Sequence, residues 1–418
     1  MPRILYVCHG HPALVPGGTE TVAHDLFSAV RDVPGCHAMF VGCVSPLHRP
    51  SRPETRFQTI GRSADEMLLW VGPFDRFMLG QTETKPFVTA MTELLTSFRP
   101  EVVHFHHLSR VGLEAVLLVK RTLPRARVLL TLHDYFAICA NDGLMTVPGS
   151  GQLCRQAAPA DCHACFPDIS QGRFVARSLH IANVLNQVDL FIAPSTFIRE
   201  RYVEWGLPAA KIRVIANGLP PAPAAASPPR ARRIFGFFGN LAPHKGVLVA
   251  LAAAQELARE QVKTMLRVNG GFNFQPESFR QAFSDALQSA GPAAMYAGAY
   301  RRADIPRLMS MVDWVVVPSV CWENAPLVIL EAMQHGRPVI CSDMGGMAEM
   351  IDDERTGLHF RAGDASDLAR AMRRAAQEPG LWQRLASALP RPPRLCDAAD
   401  RHLAIYHALL RNEEALSA

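Results

Sequence analysis

Two carboxylates with seven residues between them, Glu323 and Glu331, stand in the stretch from Asp313 to Gly346, and an ammonium, Lys245, precedes a glycine in the loop Gly239 to Gly246 (GNLAPHKG). Such groups suit a ligand that carries hydroxyls and a phosphate. Carboxylates accept hydrogen bonds from sugar hydroxyls, and a fixed cation stabilises a phosphate group. The elements that must position them can be read locally. Trp314 to Val317 is a short β-branched and aromatic run that suits a buried strand, and Pro318 ends it. Pro326 then opens an apolar helical segment that closes at Gly336. In an open α/β sheet, loops at the carboxyl ends of the strands hold ligands, and a helix N-terminus there offers backbone N–H groups to an anion. The N–H groups of Leu327 and Val328 would take a phosphate while the glutamates take hydroxyls. For Glu331, set among Leu327, Val328, Ile329, Leu330, Ala332 and Met333, a structural ion pair with Arg337 is the plain alternative.

With Pro326, Glu331-Ala332, Gly336 to Ile340 and Gly345-Gly346, this spacing resembles the E-x7-E signature of retaining glycosyltransferases of family 4. Asp313, Pro318-Ser319, Glu349, Gly357 and Gly363-Asp364 extend the match, and the resemblance runs over nearly the whole chain. It implies an α/β protein of GT-B fold, two Rossmann-like parallel-sheet domains facing a central cleft. It also implies a retaining transfer of a hexose-like sugar from a nucleotide-diphosphate donor to a hydroxyl of a glycan or lipid-linked glycan, as in polysaccharide biosynthesis. The attack would come from the front face, with the departing phosphate oxygen taking the acceptor's proton.

The same resemblance assigns roles. Lys245 matches the phosphate lysine, and His133, in TLHDY, the histidine beside the transferred sugar. Glu323 would hold hydroxyls of that sugar and Glu331 the nucleotide ribose. Gly17-Gly18 corresponds to the loop that approaches the diphosphate, while Gly239, Asn324, Ala325, Pro326, Leu327 and Val328 complete the donor contacts. Asn240 departs from the pattern, which usually has arginine there; Arg301 or Arg302 could supply the missing charge. That departure keeps a catalytically inactive nucleotide-sugar-binding protein as the alternative. A nicotinamide-dependent oxidoreductase is disfavoured because no G-x-G-x-x-G follows the first strand. No D-x-D triplet occurs in the chain, so no catalytic metal is expected.

The chain has 418 residues, which suits two domains of roughly 200 residues each. Net charge is +5 and the arginines are scattered, which agrees with phosphate attraction but lacks the dense basic stripe of a nucleic-acid binder. Peripheral contact with anionic lipid is compatible with this charge, though no segment demands it. No apolar run reaches the ~18 residues of a membrane span, and Ile4 to Cys8 is too short for a signal peptide. The expectation is a cytoplasmic protein, with any membrane contact at the inner face.

Strands are expected at Ile4 to Cys8, Ala38 to Cys43, Val102 to Phe105, Val128 to Leu132, Leu190 to Ala193 and Arg213 to Ala216. After a Pro- and Ala-rich linker, PPAPAAASPP at 220–229, they restart at Ile234 to Gly239, Met265 to Val268, Met295-Tyr296 and Leu358 to Phe360. Intervening helical patterns make this a parallel-sheet alternation. The domains are then 1–219 for the acceptor, with a Cys-bearing insertion at about 139–165, and 230–390 for the donor. By the resemblance, a terminal helix in 391–418 crosses back to the first domain, running to Leu416. Ser45 to Gly80 reads as variable loop, and His104, His106 and His107 as acceptor-side groups. Cys139, Cys154, Cys162 and Cys165 could bind a structural zinc. Their irregular first spacings leave free thiols or a redox pair as the other readings.

Overall fold

The computed structural model describes residues 2–52, 54–61, 63–222, 232–272 and 275–412. The chain divides into two units, Met1–Pro220 with Pro393–Ala418, and Pro221–Pro392.

In the first unit the strands are β1 (Arg3–Cys8), β2 (His37–Val44), β3 (Phe57–Thr59), β4 (Glu66–Trp70), a small pair β5 (Phe74–Asp75) and β6 (Gly80–Gln81), then β7 (Val102–Phe105), β8 (Arg127–Thr131), β9 (Leu190–Ala193) and β10 (Ile212–Val214). Its helices are α1 (Gly18–Arg31), α2 (Thr84–Phe98), α3 (Glu114–Thr122), α4 (Pro159–Cys165), α5 (Gln171–Leu185) and α6 (Thr196–Trp205). The main sheet has the order β10-β9-β8-β7-β1-β2-β4-β3, and only the edge pair β3–β4 is antiparallel. β9 is buried at every position, which is why it reads as an unbroken apolar run rather than an alternating one. The stretch from Ser45 to Gly80 is not all loop, as expected, but supplies β3 and β4. Met67, Leu68, Leu69 and Trp70 pair in register with β2 and carry no turn residues to announce the strand.

The second unit holds β11 (Ile234–Phe238), β12 (Met265–Asn269), β13 (Ala294–Gly298), β14 (Trp314–Val317), β15 (Val339–Ser342) and β16 (Gly357–Phe360). Its helices are α7 (Val247–Arg259), α8 (Glu277–Ala290), α9 (Ile305–Ser310), α10 (Leu327–Gln334), α11 (Gly345–Met350), α12 (Ala365–Gln377) and α13 (Leu381–Ala388). The strand order β13-β12-β11-β14-β15-β16 is parallel throughout, a doubly wound sheet. Each unit is thus Rossmann-like, and the two together have the GT-B type of architecture. Phe235, Trp314, Val316 and Ile340 from the sheet pack with Leu251, Leu257, Leu368 and Met372 in this unit's core.

The last helix, α14 (Leu395–Leu410), belongs to the first unit. Its Ala399, Leu403, Ile405 and Tyr406 share a core with Ile4, Tyr6, Phe27 and Phe40. It ends before the expected Leu416, which lies outside the described residues, as do residues 223–229 of the expected linker. Among the described residues, no helix is long and apolar enough to cross a membrane.

Candidate functional site

In the second unit, β11 and β14 are neighbours, yet the chain proceeds from β11 outward through β12 and β13, and from β14 outward the other way. The direction of winding therefore reverses between them. Their carboxyl ends form the place where such sheets open a binding crevice. The loop after β11 ends in a turn, Pro243–Lys245, and then Gly246, whose φ is +69°. A Cβ on Gly246 would lie 1.7 Å from the carbonyl oxygen of Pro318, so only glycine lets the two loops touch. The Val320 N–H donates to the His244 oxygen at 2.9 Å and closes the contact.

That contact sets Lys245 against Glu323. Lys245 Nζ lies 2.6 Å from Glu323 Oε1, and Ser319 Oγ donates to the same oxygen at 2.7 Å. Burial disfavours both charges, but the attraction prevails: the Lys245 pKa is raised and that of Glu323 is lowered. Burial and the Lys245 charge push neighbouring His244 down to about 4, so it stays neutral. The far side of the Glu323 loop is fixed by Gly346, whose N–H donates to the Glu323 oxygen at 2.8 Å. A Cβ there would fall 1.4 Å from the Asn324 oxygen. The Gly345-Gly346 pair thus acts as a seat for the loop.

Pro326 caps α10, and the helix ends before Gly336 at φ +65°. Leu327 and Val328 occupy its first turn, where N–H groups have no partner within the helix. Glu331 sits half-buried on the same helix, and its charge adds to burial in raising the pKa of the Tyr300 phenol. Asn240 is exposed. Of the two arginines considered in its place, Arg301 is exposed and leans on Asp304, 3.6 Å away, while Arg302 lies exposed on the turn Arg302–Asp304.

The first unit gathers histidines at the corresponding ends of β1, β7 and β8. His106 Nδ1 and His133 Nε2 are 3.0 Å apart, His9 and His107 rings are 4.3 Å apart, and His107 pairs with Asp134. His106, His107, His133, Asp134, Phe136 and Tyr202 line a pocket. Burial pushes His133 down to about 3 and His106 well below its ordinary value, so both rings are neutral. Although burial works the other way, His107 holds Asp134 down at about 2. The Nε2 of His106 is buried without a partner. An orphaned donor is rarer in folded proteins than an orphaned acceptor, so the His106 proton belongs on Nδ1, donated to His133. His133 then accepts at Nε2 and carries its own proton on Nδ1.

One sequence expectation is overturned, at His104, and the glycines and cysteines named with it lie as follows. His104 is fully buried, with Nδ1 on the Tyr406 hydroxyl at 2.7 Å and Nε2 on Thr131 Oγ1 at 2.8 Å, so it is a core residue and not an acceptor group. At Gly17, the N-cap of α1, a Cβ would lie 2.2 Å from Glu20 Oε2, so the glycine makes room for a side chain of its own helix. Gly18 faces open space. The four insertion cysteines are not gathered as a formed metal site: no three of their sulfurs lie within 4.8 Å of one another.

Two groupings escaped the sequence reading. Glu20 is buried and paired with His9 at 2.9 Å; its place just after Gly17-Gly18, in a helix's first turn, was the available signal. His11 and His24 both meet Glu66 Oε2, at 3.1 and 2.9 Å, the one set among the described residues with metal-ligand spacing. The Ala13 N–H donates to His11 Nδ1, which leaves the proton on Nε2, pointed at Glu66. This is a hydrogen-bonded cluster tying the loop after β1 and α1 to β4. No local pattern announces it, because the partners are far apart in the chain.

Residues 16–222 match the profile described as Glycosyltransferase Family 4, and residues 232–378 that described as Glycosyl transferases group 1. Glycogen synthase of Mycobacterium tuberculosis is 30% identical over 220 residues, 51% of this chain and 52% of that protein. Lipopolysaccharide 1,2-N-acetylglucosaminetransferase of Salmonella typhimurium is 27% identical over 190 residues, 42% of this chain and 50% of that protein. The chain spans about half the length of the curated relatives it matches. Among solved structures, sucrose-phosphate synthase of Thermosynechococcus elongatus superposes with a TM-score of 0.72 at 18% identity, over 99% of this chain and 100% of that one. Anabaena HepE in complex with UDP and glucose gives 0.66 at 17%, over 96% and 98%. These structural likenesses concern the fold.

Proposed function

We propose that this chain, a GT-B-fold protein related to glycosyltransferase family 4, is a retaining glycosyltransferase that moves a sugar from a nucleotide-diphosphate donor to a hydroxyl of a glycan or lipid-linked glycan. The observation that carries the reading is the Lys245–Glu323 pair at the point where the second sheet reverses its winding. An ammonium has three donors, so Lys245 can keep its bond to Glu323 and still direct a proton at a phosphate oxygen. The first N–H groups of α10 supply the other half of an anion cradle. Glu323 Oε1 is occupied by Lys245 and Ser319, and its other carboxylate oxygen is assigned to hydroxyls of the transferred sugar. Glu331 is assigned to the ribose.

In the step itself the bond from C1 to the phosphate oxygen breaks, the bond from C1 to the acceptor oxygen forms on the same face, and the acceptor's proton passes to the departing diphosphate. No protein base is required. The neutral His133 lies beside the transferred sugar in this reading and helps orient it. Positioning and the electrostatics around Lys245 then supply most of the acceleration. The mechanism calls on no metal.

Replacing Lys245 with alanine should lower turnover by about 10²–10³, the usual loss for one donor to a developing charge. Transfer of radiolabelled sugar, with folding checked by circular dichroism, reads this directly. Full activity in a folded Lys245→Ala protein would remove the assignment. Binding of a donor without any transfer or hydrolysis would favour the inactive sugar-nucleotide binder that the exposed Asn240 leaves open.

A further inference from the structure

The first sheet has a winding reversal of its own. From β1 the chain proceeds outward to β2, β3 and β4, whereas from β7 it proceeds outward the other way through β8 and β9 to β10, and β1 and β7 are neighbours. The crevice that such a reversal opens lies outside the carboxyl ends of those two strands. There Arg110 joins the loops that follow them: its Nη1 donates to the His9 carbonyl oxygen at 3.4 Å.

The Arg110 backbone is left-handed, with φ at +60°, a region uncommon for a residue other than glycine. Gln81, itself buried, holds this turn by donating from Nε2 to the carbonyl oxygens of Arg110 and, at 3.2 Å, Val111. The guanidinium is half-buried, yet among the described residues it forms no ion pair with a carboxylate. Burial and the charge of Arg76 oppose its own charge; Glu20 favours it, but that carboxylate is bound to His9.

The other contact of Nη1 is with His48, which follows β2, the next strand in the sheet. The Ser45 N–H donates to His48 Nδ1 at 3.3 Å, and burial together with the Arg110 charge lowers the pKa of the ring. The proton of the neutral ring therefore sits on Nε2, 3.5 Å from Arg110 Nη1. Two donors thus converge on one place, where they repel each other unless an acceptor oxygen serves both. A guanidinium at a strand-end crevice, held there against backbone strain and desolvation and with a second donor turned toward it, is arranged for an anion.

We propose that Arg110 and His48 bind a phosphoryl group of the sugar acceptor. The guanidinium fork can take two of its oxygens and the imidazole N–H a third. The anion site follows from the geometry of the first unit alone; its role as an acceptor site rests on the transfer reading above. A soluble sugar phosphate and a lipid-linked glycan diphosphate present the same oxygens to the arginine.

The test uses the full chain and two probes, glucose-6-phosphate in solution and phosphatidylcholine vesicles carrying a polyprenyl diphosphate. Arg110→Asn is the variant, because asparagine tolerates left-handed backbone and removes the charge. It should fold at least as stably as wild type and bind one of the probes at least about tenfold more weakly, as loss of a charge-assisted fork requires. The probe that responds identifies the source of the phosphoryl group. Should the variant fail to fold, phenylglyoxal labelling of wild-type protein decides: a bound probe should slow the modification of Arg110, followed by mass spectrometry. Equal affinity of variant and wild type for both probes, no binding of either to folded wild type, or modification of Arg110 that neither slows would overturn the proposal. Wild-type protein that still binds a nucleoside diphosphate in that case loses this inference and keeps the donor reading.

Discussion

At the scale of single residues, the Lys245–Glu323 pair makes a prediction separable from catalysis. Glu323→Gln keeps the shape but leaves the ammonium without its charge partner. The loss should be about 1–2 kcal/mol, below that of a fully buried pair because the lysine side chain is still 33% exposed. The pH dependence follows from the directions of the shifts. The Glu323 pKa is lowered in the folded protein, so its contribution is complete above the ordinary glutamate range and disappears as pH falls through the folded value. The Lys245 pKa is raised, so its contribution is complete below the ordinary lysine value and disappears only as pH rises past it. Urea melts of wild type and Glu323→Gln should therefore differ by a constant amount above the ordinary glutamate range and up to about pH 9, and draw together as pH falls below that range. A difference that grew on acidification would show that the pair does not hold the charges described.

At the scale of elements, the two loops meet through glycines rather than through side chains. Gly246→Ala forces a Cβ into the Pro318 oxygen and a non-glycine residue into left-handed backbone. The backbone term alone costs about 1–2 kcal/mol, and relief of the clash must part the loops and separate Lys245 from Glu323. Chemical denaturation and activity measured together should show both falling; a stable variant with the wild-type rate would mean that the loop contact is dispensable. These elements also show how far the sequence could be read. Strand, Pro326, helix and Gly336 were legible because each is local punctuation. So were the lysine and glutamate as chemistry. That Gly246 touches Pro318 and that Gly346 seats Asn324 could not be read, since each depends on two loops brought together by strand order. His104 misled for the same reason: a histidine at a strand end looks like a site residue until Tyr406, some 300 positions later, fills the space beside it.

At the scale of the whole molecule, each unit has its own core, and α14 completes the first one from the far end of the chain. Tyr406 is fully buried, with its hydroxyl near both His104 Nδ1 and the Tyr6 hydroxyl, the latter at 3.2 Å. Tyr406→Phe removes that hydroxyl and strands two buried polar groups, which should cost about 1–3 kcal/mol. Hydrogen exchange should locate the loss in β1, β7 and α14 and leave β11 to β16 unchanged; a uniform loss over both units would contradict the division. The first unit's strands β3 and β4 were not legible, because a short strand without turn signals resembles loop, whereas the buried runs at β1, β7, β9, β11 and β14 were plain. The alternation of strand and helix carried the fold class.

The most direct test of the central claim, that the loops after β11 and β14 hold a nucleoside diphosphate through Lys245, is a calorimetric titration with UDP, GDP and ADP. It compares wild type, Lys245→Ala and, as an exposed control, Lys263→Ala. The account predicts that one of the three nucleotides binds wild type and the Lys263 variant alike, and binds Lys245→Ala at least about tenfold more weakly, a loss of about 1.4 kcal/mol. Equal affinity for Lys245→Ala and wild type, or no binding of any nucleotide to folded wild-type protein, would contradict it.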